Sequence, residues 1–307
     1  MADADMPVRS ETLRHVREAR AKWADGIAAG YRARDLLLRC GDMAELSFVY
    51  WLLALCHYYR GDLRGALTIA QEGIATMERS DSQQPSKGIL AVAARVQARL
   101  GNIGAAKDLI ARSTALCERT HDRFFSTWVE MMKGDCHLLA GELDDAIACL
   151  QRARESREAH GLLPEYLVEI YALLATALLE QLRTSNDLRG PAARRRRLDE
   201  ISAIARKATR LSWRRHCYYA PSLRIRAAAA SLAGDNHRAD RLFARSLAHA
   251  QTVGAALQLG ETHSEIGRCL MDGNQRDRAR PHFAAARALF ETADARTLLR
   301  RVAAFSG

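Results

Sequence analysis

The sequence is poor in the residues that interrupt helices, with six prolines and nineteen glycines in 307 positions. Runs of β-branched residues are almost absent, which leaves little to build strands from, whereas the strong helix formers alanine and leucine are abundant. No stretch of about 18 consecutive apolar residues occurs, so no membrane span is expected. The first seven residues are acidic and lack a basic stretch followed by an apolar core, so no secretory signal is expected either. The seven cysteines are an odd number and fall in no C-x-x-C spacing. A reduced, cytoplasmic compartment is the expectation.

Chemistry-bearing motifs are also missing. The chain has no G-x-x-x-x-G-K-[ST] phosphate loop, no G-x-G-x-x-G after a strand, no H-E-x-x-H and no G-x-S-x-G. Cys56-His57, Cys136-His137 and His216-Cys217 are adjacent pairs, a spacing that does not bring two ligands on one helix to one metal. Buried structural roles are expected for them. The carboxylates Glu142, Asp144 and Asp145 fall at a helix start, where the helix dipole favours them. The sequence therefore predicts no enzyme, no catalytic residue, no metal and no cofactor.

What is present is a folded chain, 48% hydrophobic and 27% charged, with an internal repeat. Turn signals Gly61-Asp62, Gly101-Asn102 and Gly141-Glu142 recur every 40 residues. Gly234-Asp235 follows two periods plus 13 residues later, and one more period reaches Asn274. Gly and Asn are the residues that accept a left-handed backbone at a helix end. Seven residues before these turns stand Ala54, Ala94, Gly134, Ala227 and Gly267; five after them stand Ala66, Ala106, Ala146, Ala239 and Ala279. Twelve after them stand Gly73, Ser113, Ala153, Ser246 and Ala286, and nine after them the mostly larger Ala70, Ile110, Leu150, Phe243 and Phe283. Two helices approach to 8–10 Å only where side chains at the crossing are small. The pattern thus predicts one antiparallel helix pair per repeat.

A small residue in helix A, a Gly-Asp/Asn turn, an early alanine in helix B, a bulky apolar residue and then another small one resembles the tetratricopeptide signature. The match covers roughly residues 43–295, and the Gly254–Ala295 stretch is especially similar. The long period resembles the C-terminal sensor arrays of bacterial ATPase-linked regulators, adenylyl cyclases and kinases. The proline that usually closes helix B is lacking. The resemblance implies an all-α, right-handed α-α superhelix of about six helix pairs with an extra N-terminal helix. Residues 1–42 form an N-terminal helical cap, 43–295 the repeats and 296–307 a C-terminal cap and tail. Pairs are expected near 43–60/63–79, 84–100/103–119, 123–140/143–160, 165–182/196–212, 216–233/236–253 and 256–272/276–291. The N-terminal helix is expected over 8–39, with Gly26, Gly30 and Ala33 on one face. Pro281 falls early in the last helix B, where it is tolerated if Asp277 caps the helix and Pro281 lies in its first turn, and kinks it otherwise.

The 13 extra residues fall near 183–195 and read as a loop between the helices of the fourth repeat. They lead into Arg194, Arg195, Arg196 and Arg197. From Arg183 to Arg226 there are thirteen basic and three acidic residues, an excess equal to the net charge of the whole chain, +10. The positive charge is therefore local. It reads either as a solvated arginine face or as a docking patch, for an acidic protein segment before nucleic acid or an anionic membrane.

In this architecture the A helices line the concave side. Residues three to four apart, on the face not used by the small residues, point into it. They include Trp51, Tyr58, Arg95, Arg99, Trp128, Arg224 and Arg268, the predicted partner-binding set. Aromatics beside arginines supply contact area and directed bonds; packing of Trp51 and Trp128 against neighbouring helices is the other reading of those two. The resemblance implies a non-catalytic scaffold or sensor that binds a protein or peptide, in bacterial signalling or transcriptional regulation. A regulator that closes around a small peptide or ligand is the alternative; an enzyme using the solenoid as scaffold has no residues to support it.

Overall fold

The computed structural model describes residues 23–79, 86–162, 165–185, 190–213 and 216–306. Among them every regular element is helical. A first helix, α1 (Trp23–Cys40), is followed by six antiparallel pairs. These are α2 (Met43–Arg60) with α3 (Leu63–Arg79), α4 (Ser86–Leu100) with α5 (Ile103–Thr120), and α6 (Arg123–Ala140) with α7 (Leu143–Ala159). Then come α8 (Glu169–Thr184) with α9 (Pro191–Ser212), α10 (His216–Leu232) with α11 (Asn236–Thr252), and α12 (Ala256–Asp272) with α13 (Arg276–Thr292). A 3₁₀ turn, Glu165–Val168, leads into α8, and α14 (Arg296–Ser306) ends the chain. Residues 8–22 of the expected N-terminal helix lie outside the described residues. No described helix is long and apolar enough to cross a membrane.

The turns form where the sequence places Gly or Asn. Gly61, Gly101, Gly141 and Gly234 have φ between 85° and 96°, and Asn274 has φ 55°. The acid that follows then starts the next helix: Asp62 accepts from the Gly65 N–H at 2.8 Å, and Asp235 from that of Arg238 at 3.1 Å. In the first three repeats a side chain four residues before the glycine reaches over the turn. His57 Nδ1 meets Asp62 at 2.7 Å, Asn102 donates to Gln97 at 2.8 Å, and His137 Nδ1 meets Glu142 at 2.6 Å.

Helix crossings explain the small residues. A Cβ on Gly134 would lie 2.6 Å from Leu150 Cγ, and one on Gly267 would lie 2.6 Å from Phe283. Ala54, Ala66, Ala94, Ala146 and Ala227 are fully buried. Ser113 and Ser246 are equivalent too; each donates to a helix-A carbonyl, of Lys87 and Ala220, at 2.8 and 2.9 Å. On α1, a Cβ at Gly30 would meet Leu53 at 2.8 Å, and Trp23 stacks on Tyr59 at 5.8 Å.

Two local expectations are corrected. Helix α9 begins at Pro191, not near 196, because proline suits the first helical position, where no N–H is needed. Arg194 to Arg197 are therefore helical; of the loop before them, 186–189 lie outside the described residues. Helix α13 begins at Arg276 with Gln275 as cap, so Pro281 is its sixth residue and Asp277 its second. Pro281 and Asp277 are both exposed, so water can reach the carbonyl left without its helical donor.

The superhelix closes on itself. The A helices α2, α4, α6, α8, α10 and α12 pack in that order, and α12 returns to pack on α2. The turn glycine Gly61 lies against Ala256, whose Cβ would be 3.0 Å from a Cβ placed there. Arg64 pairs with Asp294 at 2.6 Å, and α14 packs on both α4 and α12. The concave face is consequently the inside of a ring.

Candidate functional site

The inner face is charged. On α4, Arg95 and Arg99 are one turn apart and project together. On α12, Glu261, Glu265 and Arg268 repeat that spacing over two turns. The otherwise apolar α8 carries Glu169 at its start and Glu180 near its end, and α6 and α10 contribute Asp135 and Arg224. Arg95 donates through Nε to Asp135 at 2.7 Å and through both Nη atoms to Glu169 at 2.9 and 2.5 Å. Arg99 donates to the same Asp135 oxygen at 2.9 Å and lies 3.8 Å from Glu261. Arg224 donates to Gln258 at 2.8 Å and to Glu261 at 2.7 Å. Arg268 grips Glu180, and Arg183 pairs with Glu265 at 2.8 Å. Glu261 thus joins α4 and α10 through α12.

Burial decides how these groups titrate. Charges out of water persist only when paired, because desolvation costs several kcal/mol per ion. Burial alone would raise the Asp135 carboxyl, but Arg99 and Arg95 hold it at about 2. Burial would raise Glu180 as well, but the Arg268 bond together with the charges of Arg268, Arg183 and Arg301 lowers it. Tyr58 is pushed up by burial; its ring lies beneath Arg95 and Arg99, 4.6 and 5.0 Å from their guanidinium carbons. Donors remain over: Arg99 Nε, and Arg183 Nε and Nη1, are buried without an acceptor.

Helix α14 covers this face. Thr297 donates to the Ala98 carbonyl at 2.6 Å, Arg301 donates to the Leu138 carbonyl, and Phe305 lies 4.3 Å under the Arg268 guanidinium. What remains is a cavity of about 100 Å³. Five arginines, counting Arg301, and five carboxylates border it, so its formal charge is balanced.

The sequence-predicted residues divide into two groups. Arg95, Arg99, Arg224 and Arg268 converge on the cavity, each already paired with a carboxylate. Trp51 and Trp128 do not face it: they are buried in an aromatic cluster, 5.3 Å apart, with Tyr166 4.8 Å from Trp51. Gly88 on α4 permits that cluster, since a Cβ there would lie 2.9 Å from Phe125 and 3.1 Å from Trp51. Tyr58 is a buried floor beneath arginines. These three aromatics are core, not groove surface: α2, which carries Trp51 and Tyr58, packs against α1, α4 and α12, and Trp128 of α6 packs on Trp51. Arg194 borders a second cavity beside Arg183; Arg195 and Arg196 are exposed, and Arg197 pairs with Glu200 at 2.8 Å. Sequence reasoning missed Glu169, Glu180, Glu265 and Arg301 as groove residues. A signal existed for two: Glu169 and Glu180 bracket the apolar run IYALLATALL, where charges at both ends of an inner helix need partners.

Cys56, Cys136 and Cys217 are buried, and His57 and His137 are tied over their turns. The described cysteines form no disulfide, and all but Cys40 are buried. Burial raises the Cys136 and Cys269 thiols to about 12, far from a reactive thiolate. His137, Glu142 and Asp145 could approach one ion, but Glu142 already accepts from Lys107 at 2.5 Å and from His137.

Helix pairs of this kind, closed into a ring around a charged concave face, define a tetratricopeptide-like helical-repeat protein. No protein-family model and no curated protein matches the sequence. Among solved structures, the chain is similar to the apo form of RapI, at 12% identity and TM-score 0.62, over 92% of this chain and 97% of that one. It is also similar to a Rap protein complexed with competence and sporulation factor, at 10% identity and TM-score 0.72, over 92% of this chain and 74% of that one. A third likeness is to the Rap conjugation gene regulator of the plasmid pLS20 in complex with the Phr* peptide, at 11% identity and TM-score 0.69, over 96% and 75%. At these identities the likeness is one of fold.

Proposed function

We propose that this chain is a non-catalytic regulator that takes a peptide, or a segment of a protein partner, into its concave groove. The observation that carries the reading is the inner-face charge ring with a buried donor left over at Arg99 Nε. Buried donors without acceptors are costly, and a peptide carbonyl or carboxylate would satisfy them. Two of the similar structures are complexes with a peptide or factor, which agrees with this reading. In it, residues 43–295 form the recognising array, 1–42 and 296–307 cap it, and cysteines that form no disulfide fit a reducing cytoplasm. The resemblance to sensor arrays of ATPase-linked regulators points the same way, toward recognition without chemistry. The three structural likenesses given above, however, are to Rap proteins. The balanced charge of the groove removes the reason to expect an acidic ligand there; Arg95, Arg99, Arg224 and Arg268 are already neutralised. The size of the cavity favours a small ligand as the second reading, since a peptide requires α14 to move.

The test is selection of peptides of about ten residues from a displayed library on the full chain, a length that matches a groove one helix pair deep. Enriched peptides should lose about tenfold in affinity on Arg99→Lys and on Glu261→Gln, with circular dichroism unchanged. No enrichment, or enrichment indifferent to both substitutions, would sink the groove as the binding site.

A further inference from the structure

The outer side of the ring holds a different feature. On α10, Tyr219 and Arg226 are seven residues apart and share a face; on α11, Arg238 and Arg245 do the same. Arg245 donates to the Tyr219 hydroxyl at 2.5 Å, which sets the antiparallel register and places Arg238 opposite Arg226. On the other flank, Thr209 of α9 reaches the Ser222 carbonyl of α10 at 3.5 Å. One turn back along α9 and one turn on along α10 bring Arg206 beside Arg226. Four arginines from three helices therefore converge on the crevice between α9 and α11, floored by α10. Arg224, two residues from Arg226, points the opposite way, into the groove.

None of the four forms an ion pair among the described residues; Glu200 is held by Arg197, Glu158 by Lys207, and Asp235 accepts from the Arg238 backbone N–H. Arg226 is half-buried, and its Nε is buried with no acceptor at all. Burial, with Arg238, Arg206 and Arg245 around it, presses this guanidinium below its ordinary value. Arg206 and Arg245 stand exposed at the rim and Arg238 is half-buried, while Arg226 turns a buried, unpartnered Nε inward. Like charges held so close need a counter-anion, and the fork geometry of arginine suits an oxyanion with several acceptors. A carboxylate offers two oxygens to four guanidinium groups. A phosphoryl group offers three and up to two charges.

We propose that the crevice bounded by Arg206, Arg226, Arg238 and Arg245 is a binding site for a phosphoryl group, separate from the concave groove. The site takes a tetrahedral phosphate, free or carried on a side chain, with Arg226 at its base and the three other arginines around its rim. It does not depend on the peptide reading of the groove.

The experiment uses the full chain with inorganic phosphate as probe, compared with chloride at matched ionic strength. Thermal unfolding and ³¹P line broadening are read together. Phosphate should raise the midpoint in a saturable way that chloride does not reproduce. Arg226→Ala should weaken phosphate binding about tenfold or more, the loss expected for hydrogen bonds between charged groups. Arg206→Ser, at an exposed position that leaves the fold intact, should weaken it in the same direction. O-phosphoserine serves as the second probe: tighter binding than phosphate assigns the site to a phosphorylated side chain, and equal binding assigns it to the free ion. The proposal is overturned if phosphate acts no differently from chloride, or if both variants respond as the native chain does. It is also overturned if an oligonucleotide binds here while phosphate has no effect.

Discussion

The Thr297 hydroxyl donates to the backbone carbonyl of Ala98 at 2.6 Å, tying the last helix to the second repeat across 199 residues of sequence. This bond sits at the mouth of the groove. Its loss in Thr297→Val should cost about 1 kcal/mol. The cost should be local: amides of α14 should exchange faster while those of α8 keep their protection. Hydrogen-exchange mass spectrometry checks it, and equal protection of α14 in both proteins would mean that the tie does not hold the cover in place.

The pair formed by Arg95 and Glu169 is buried on both sides. Glu169→Gln should destabilise the chain by about 3 kcal/mol, because it leaves two buried arginines, Arg95 and Arg99, sharing Asp135 alone on this side of the ring. The double variant Arg95→Met, Glu169→Leu should recover most of that loss, since a buried pair replaced by apolar groups of similar volume is often neutral. Urea unfolding of the three proteins decides it. A double variant no better than the single one would show that the ring needs its charges.

Acid should act through Asp135 and Glu180. Both carboxyls titrate below their ordinary values in the folded chain, Asp135 at about 2. An unfolded carboxylate titrates near 4. The stabilisation from such a group is complete above the unfolded value and disappears as pH falls through the folded one. Stability should therefore drop between about pH 4.5 and pH 2, with Asp135 contributing roughly 2 kcal/mol of the change. Denaturation midpoints across that range should fall less steeply in Asp135→Asn. A parallel slope in the variant would refute the assignment.

Two glycines in helices should respond in opposite directions. Gly134→Ala pushes a Cβ to 2.6 Å from Leu150 Cγ and 3.3 Å from the Ala146 carbonyl, and should cost about 1–3 kcal/mol. Gly104, in α5, is exposed and has nothing within 4 Å of where a Cβ would stand, so Gly104→Ala should gain about 0.5 kcal/mol. Thermal midpoints of the two variants should move apart; a stable Gly134→Ala would mean that α6 and α7 can separate without penalty.

The repeat is legible in the sequence because its causes are local. Gly61, Gly101, Gly141 and Gly234 announce the turns by the backbone they adopt, and Ala54, Ala94 and Gly134 announce the crossings by their size. The start of α9 is harder to place because the extra residues hide Pro191 inside what reads as a loop. The groove is only half legible. Helical spacing puts Arg95, Arg99, Arg224 and Arg268 on the inner face, but it carries no information on how far the superhelix closes. Packing across repeats decides the rest: Phe125, Trp128 and Tyr166 gather around Trp51, Arg95 and Arg99 cover Tyr58, and Glu169, Glu180 and Glu261 arrive as partners from repeats that are distant in sequence. The basic segment is legible as charge, not as geometry. Arg194 to Arg197 stand out as a run, whereas Arg206, Arg226, Arg238 and Arg245 converge only once α9, α10 and α11 pack.

Ring closure also changes how the chain comes apart. An open repeat array behaves as a row of units, each sensing its neighbours alone, so that its ends unravel first and its stability grows with length. Here Arg64 meets Asp294 across 230 residues, and Thr297 meets Ala98. Neither end is free to fray by itself, and contacts of such long range slow folding. Unfolding should be a single cooperative event, and damage to α14 should register in α4 before it registers in α10.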